Sequence, residues 1–429
     1  AHPEAGPLVT AASSAAGGPI AGPSPLRRPE FRRLLGISIT VALGFGMVIP
    51  TLPLFASSFG VGLAAIGLVQ LVFGLTHFSF GIVAGLVVDR FGDRACTMAG
   101  LLIVSLSSYA MGFSETFVQL VLARGFGGAG SALFIAGLMN RILRLIEPEA
   151  MGRATGAFRS SFLVGIAAGP VMGGVVAKYL GLVWVFHIYA SGLIVATVIA
   201  WFVMRGQRVV VIQDRKTPLD ALRAAKPLFG DIRYVVALLA TLVGWWTLSG
   251  PTQIVGTIYA KQELGFSLEQ IGLALTLVAI GEVLVLFVAG RATDRFGRRA
   301  VLVPALAVSA LGVAALGQIE GIPWAFYPLM LLIGTGTAAG GTAAGGLLAD
   351  SIPEGGSGTA VGVNQMAGDL GYLIAPTAVG FVAETQGFPL AYLLAAVPAV
   401  VVFVAALKLP RGIVAATREQ PPEPGIPVA

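Results

Sequence analysis

Charge is what this chain has least of. Asp, Glu, Lys and Arg make up only 11% of its 429 residues, where a soluble domain carries about 25%. Mean hydropathy is +0.87, so most of the chain is expected to lie in lipid. Cysteine occurs once, as Cys96, which excludes an intramolecular disulfide and a multi-cysteine metal site. The three histidines, His2, His77 and His187, are too scattered for a metal centre. The chain has no GxxxxGK[ST] phosphate loop, no metal-ligand cluster and no Ser–His–Asp constellation. Neither an enzyme nor a cofactor is therefore expected. No secretory signal peptide is evident, because the first 26 residues are mostly Ala, Gly, Pro and Ser with no apolar core behind a basic start.

What the chain does have is apolar runs of roughly 20 residues, each enough to span the hydrocarbon core. They predict twelve membrane helices at 34–57, 64–88, 95–113, 116–140, 154–177, 182–204, 234–258, 268–290, 300–318, 324–348, 359–382 and 388–408. The expected domains are a disordered cytoplasmic tail over 1–30, a six-helix bundle over 31–204, a cytoplasmic linker over 205–233, a second bundle over 234–409 and a cytoplasmic tail over 410–429. Within the linker, TPLDALRAAKPLF reads as an amphipathic helix on the membrane surface.

Of the 27 Lys and Arg, 23 fall in the tails, the linker and alternate loops on one side. The other side has only Lys178 and Lys261, and Arg124 and Arg159 lie within spans. The positive-inside rule then puts both termini and the linker in the cytoplasm of a plasma membrane. The net charge of +6 is a topology signal and not a nucleic-acid footprint. The halves also repeat. Asp89-Arg90-Phe91-Gly92 returns as Asp294-Arg295-Phe296-Gly297, Ile66-Gly67 as Ile271-Gly272, and Gly156, Gly165 and Pro170 as Gly362, Gly371 and Pro376. Such a repeat predicts two similar bundles with a substrate path between them near the midplane.

Several motifs carry chemistry. In the fifth span, Gly156, Gly165, Gly169, Pro170, Gly173 and Gly174 lay small residues along a helix, which lets another backbone approach closely. The Gly-Pro pair removes one helical hydrogen bond and predicts a bend. Gly85-x-x-x-Asp89-Arg90-x-Gly92-Asp93-Arg94 follows the second span, and Gly290-x-x-x-Asp294-Arg295-x-Gly297-Arg298-Arg299 follows the eighth. Their glycines permit a tight turn, their Asp suits a helix N-terminus, and their Arg can pair with carboxylates of the same loop. Arg124-Gly-Phe-Gly-Gly-Ala-Gly lies in the fourth span, and Ile49-Pro50-x-Leu52-Pro53 in the first.

On these motifs the chain resembles a major facilitator superfamily carrier over residues 30–410, and within it the twelve-span drug:proton antiporters. The resemblance implies an all-α membrane fold of two pseudo-symmetric six-helix bundles. It implies that the loops around Asp89 and Asp294 latch the cytoplasmic side in the outward-facing state. It also makes spans 2 and 11, and spans 5 and 8, neighbours across the interface. Two departures stand out: Asp93 occupies a position usually basic, and the first span, Gly36–Ser57, contains no acid. For Arg124 the resemblance implies a part in proton coupling or in holding the first span; a purely structural role is the other reading.

Four further ionisable residues fall within spans: His77, Arg159, Glu282 and Asp369. Their depths along the helices allow two pairs between bundles, His77 with Asp369 and Arg159 with Glu282. These are either proton-coupling pairs that part during movement or static ion bridges. Phe73, Phe78, Trp245, Trp246, Gln253, Asn364, Gln365 and Met366 are candidate cavity residues, a mix that suits amphipathic ligands. The expected function is proton-coupled efflux of a small amphipathic compound by a monomer in a bacterial inner membrane. Transport of a sugar, metabolite or lipid is the alternative within the class, and a non-transporting receptor the alternative outside it.

Overall fold

A computed structural model describes residues 25–147, 150–204, 226–352 and 357–410. The expected tails fall almost wholly outside these residues, as does most of the linker with its amphipathic helix. The linker's described end, Lys226–Gly230, forms a 3-10 turn. Among the described residues there is no strand, and 12 helices are long and apolar enough to cross a membrane. They are α1 Pro29–Ser57, α2 Leu63–Phe91, α3 Asp93–Gly112, α4 Phe117–Leu145, α5 Met151–Leu180 and α6 Leu182–Val203. The second six are α7 Ile232–Gln262, α8 Leu268–Phe296, α9 Arg298–Leu316, α10 Phe326–Ser351, α11 Ser357–Gln386 and α12 Phe388–Ala406.

Several helices overrun their apolar runs at the end of the molecule that carries the arginine-rich turns, called here the basic end. Helix α1 begins at Pro29, a first-turn position where the missing N–H costs nothing. Helices α2 and α8 continue through Asp89-Arg90 and Asp294-Arg295, so the expected loops are mostly helix. The turn is one residue in each: Gly92 with φ 87° and Gly297 with φ 90°, a conformation that a Cβ would strain. Gly85 and Gly290 are helical and play no part in it.

The bundles repeat each other in their packing. Helix α1 packs on α5 and α6, α2 on α4, and α3 on α4 and α6; α7 packs on α11 and α12, α8 on α10, and α9 on α10 and α12. Between the bundles, α2 meets α11 and α5 meets α8.

Helix α5 runs unbroken through Pro170. Its small residues serve two neighbours. A Cβ on Gly165 would lie 2.6 Å from the Ala42 Cβ, and one on Gly169 would lie 2.5 Å from the Gly46 Cα. Gly173 lies as close to Met47, so this i, i+4, i+8 stripe holds α1. Pro170 and Gly174 instead face Gly272 and Leu268 of α8 across the interface. Gly156 touches nothing within 4 Å. The carbonyl of Ile166, left without its helical donor by Pro170, faces Gly46.

Helix α7 is not regular. Leu248–Ile254 is a π-helical turn around Pro251. Proline cannot donate to the Thr247 carbonyl, and the Thr252 hydroxyl donates to it instead. Gly250 then sits against Ala375 of α11, and the Tyr392 hydroxyl donates to the Pro251 carbonyl at 3.3 Å.

Among the described residues the bundles meet closely only toward the end opposite the basic one. There Gly67 abuts Pro376 and Thr377, and Gly380 abuts Leu63. The Ala64 N–H donates to the Glu384 carboxylate at 3.1 Å, Lys178 pairs with Glu269 at 2.5 Å, and the Thr276 hydroxyl donates to the Ala167 carbonyl at 3.0 Å. Toward the basic end, a Cβ on Gly81, Gly156, Gly290 or Gly362 would meet nothing within 4 Å. The four interface helices are closed at one end and parted at the other.

Candidate functional site

Between the bundles lies a cavity of about 400 Å³. Phe45 of α1, Phe73 and Phe78 of α2, Phe134 of α4, Phe162 of α5 and Trp245 of α7 give it aromatic walls. Its polar groups are few: His77, Arg124, Gln253, Gln365, Asp369, Tyr189 and Tyr372, with Ser107, Ser108 and Ser131. An apolar chamber with a few convergent polar groups is the usual form of a small-molecule site.

The structure brings His77 and Asp369 onto this chamber from α2 and α11. No ion pair joins them within 4.0 Å. Asp369 accepts from the Gln365 amide at 3.2 Å. The His77 ring lies parallel to Phe73, centroids 6.2 Å apart, and its buried Nδ1 has no partner. Phe73, Trp245, Gln253, Gln365 and Met366 line the chamber as expected of cavity residues. Trp246 and Asn364 do not. The Trp246 indole donates to the Ala395 carbonyl of α12 at 3.1 Å, and Asn364 accepts from the Thr241 hydroxyl at 2.9 Å. Both side chains tie helices of one bundle together. Glu282 also lies off the chamber. The Arg159 side chain is outside the described residues, so the expected pair of Arg159 with Glu282 is too.

Arg124 is 4% exposed. Its guanidinium stands 4.1 Å from the Phe73 ring centroid and 5.7 Å from that of Phe45, and its Nη2 donates to Gln70 Oε1 at 3.4 Å. Tyr189 and Tyr372 line the same chamber. Gln70, Tyr189 and Tyr372 were not legible as site residues from spacing. A glutamine inside an apolar span was the one available signal.

At the basic end the two latch regions solve the same problem with opposite charges. Asp93 opens α3, accepts from the Arg94 N–H at 2.8 Å and lies 3.8 Å from Arg141 of α4, which also holds Glu30 of α1. Arg298 opens α9 and pairs with Asp294 at 2.8 Å and with Asp350 of α10 at 3.2 Å. The acid at position 93 is therefore matched by a base on the neighbouring helix. The remaining motif arginines differ from the expected carboxylate pairing: Arg90 and Arg295 lie over Phe91 and Phe296, and Arg94 over Trp201 at 4.2 Å. Asp89 has a buried oxygen with no partner.

Twelve helices in two repeated bundles around one central chamber define a membrane carrier. The sequence model of the Major Facilitator Superfamily matches residues 34–258 and 235–428, and the chain belongs to that superfamily. Curated relatives include the multi-drug resistance efflux pump PmrA of Streptococcus pneumoniae, 23% identical over 80% of this chain and 86% of the relative. Another is the multidrug resistance protein MdtG of Salmonella paratyphi B, 26% identical over 82% and 88%. Among solved structures, the nucleoside transporter NupG aligns with TM-score 0.74 at 17% identity, over 89% of this chain and 100% of its own. A bacterial homologue of the lysosomal transporter Spinster, inward-facing and unoccupied, aligns with TM-score 0.73 at 17% identity, over 90% and 98%. These last two likenesses are of fold.

Proposed function

We propose that this chain is a proton-coupled exporter of small amphipathic compounds, acting as a monomer in a bacterial inner membrane. The observation that carries the reading is the chamber itself: aromatic walls lined also by a histidine from one bundle and a carboxylate from the other. By the positive-inside rule the basic end is cytoplasmic, so the chamber is open to the cytoplasm and sealed from outside, ready to load. Asp369 is the proton carrier in this reading, with His77 opposite it to sense and stabilise its charge. The substrate class follows the chamber's chemistry and agrees with the multidrug resistance role for which the relatives PmrA and MdtG are named. Wall flexibility and stacking, rather than a fixed set of hydrogen bonds, would do the binding.

The test is transport in proteoliposomes holding a fluorescent amphipathic dye and a pH indicator. Export predicts dye movement driven by an imposed pH gradient, with protons moving the opposite way. Dye movement with protons in the same direction, or none with any gradient, would defeat it.

A further inference from the structure

The guanidinium of Arg124 is buried without a counter-charge. Among the described residues no carboxylate lies within 4.0 Å of it; its contacts are one long hydrogen bond to Gln70 and two aromatic faces. Its Nε is buried and unpartnered, and so is the Nε2 of Gln70. Both side chains are only 4% exposed. They border a small recess that adjoins the main chamber and is completed by Gln253 and Tyr372. A lone buried ion is expensive, and stacking on Phe73 offsets only part of that. Arg141, by contrast, is buried but pairs with Glu30 and lies 3.8 Å from Asp93. The recess itself has room for about one water, but Arg124 also lines the main chamber, where an anionic group can reach its guanidinium.

We propose that the chamber wall at Arg124 binds the anionic head of the substrate, so that the chain exports amphipathic organic anions. The proposal rests on reading the chamber as the substrate site. Arg124 supplies the counter-charge and a planar donor fork suited to a carboxylate or sulfonate, and the aromatic chamber takes the apolar body. The position is the blind end of the chamber. Gln70 and Arg124 each lie seven residues into their helices from the closed end, and His77 is seven residues beyond Gln70, about 10 Å along the axis. The head-group position is thus about two helical turns deeper than His77.

The test uses three probes that share one ring: 2-naphthylacetate, its methyl ester and 2-(2-naphthyl)ethylamine. Each is titrated by calorimetry into the protein in lipid nanodiscs, with empty nanodiscs as the blank. The acid should bind roughly tenfold or more tighter than the amine and the ester. Arg124→Gln should bring the acid down to the level of the ester and leave ester binding intact, which also shows that the variant is folded. Arg124→Lys should keep part of the preference. Tighter binding of the amine, or an acid preference that survives Arg124→Gln, overturns the proposal. Ester binding with no acid preference overturns the anion assignment alone, whereas failure of all three probes to bind overturns the chamber reading with it.

Discussion

Asp369 and Arg124 show two treatments of an ionisable group in one chamber. Asp369 has a neutral amide for a neighbour and a histidine opposite, so it can gain or lose a proton without stranding a fixed cation. Under the proposed mechanism Asp369→Asn removes proton-driven transport while substrate binding persists. The check is proton-coupled uptake and equilibrium binding measured side by side; coupled transport at the wild-type rate from about pH 5.5 to 8, which brackets the histidine titration, would reject the assignment. Outside the membrane, Asp231 caps α7: it accepts from the Arg233 N–H at 2.8 Å and pairs with the Arg233 side chain. That bonding holds its carboxyl below the ordinary value. A depressed carboxyl contributes stability above its unfolded pKa and loses it as pH falls through the folded one. Asp231→Ala should therefore cost about 1 kcal/mol near neutral pH, and thermal melts of variant and parent should converge in acid.

At the scale of the helix, α5 is the element on which both packing and movement depend. Gly165, Gly169 and Gly173 bring α1 to backbone contact within the bundle, while Pro170 and Gly174 meet α8 across the interface. If the carrier alternates, the second contact must open, whereas the first lies within one bundle and can persist. Gly169→Leu forces a side chain into the Gly46 backbone, an overpacking of about 1–3 kcal/mol or more. It should abolish transport and lower the melting temperature. Gly156→Leu, which meets open space, should leave the melting temperature unchanged. Equal melts for both would show that the stripe does not set the α1 contact. In α7 the π turn at Pro251 performs a different task, seating Gly250 on α11 and turning Gln253 into the chamber.

At the scale of the whole molecule, the closed end is held by small-residue contacts and two exposed polar clasps, Lys178 with Glu269 and Glu384 with the start of α2. Exposed clasps of this kind are weak singly, which lets them open within a transport cycle. Cysteines at positions 178 and 269, with Cys96 replaced by Ser, should be joined by a short bis-methanethiosulfonate cross-linker, which forms a disulfide at each end and releases methanesulfinate. Joining should stop transport, and reductive cleavage should restore it. Undiminished transport by the joined protein would show that α5 and α8 need not separate at this end.

The sequence by itself determined the helix count, the two-fold repeat and the superfamily, because each is written in long apolar runs and in a near-constant offset between motifs. It also placed His77 and Asp369, since a charge inside an apolar run stands out and its depth follows from the helical rise. It did not determine which faces of those helices meet. Trp246 and Asn364 have the composition of cavity residues but turn toward α12 and α7, a matter of rotation about the helix axis that periodicity resolves poorly when every face is apolar. Gln70 and the tyrosines around Arg124 come from α2, α6 and α11, and only packing brings them together. The acid at position 93 was legible as a departure but not as one half of an exchange, because its base lies on α4. The parting of the bundles at the basic end belongs wholly to tertiary structure: glycines occur on the interface helices toward both ends, and only the packing decides that those at one end meet a backbone across the interface.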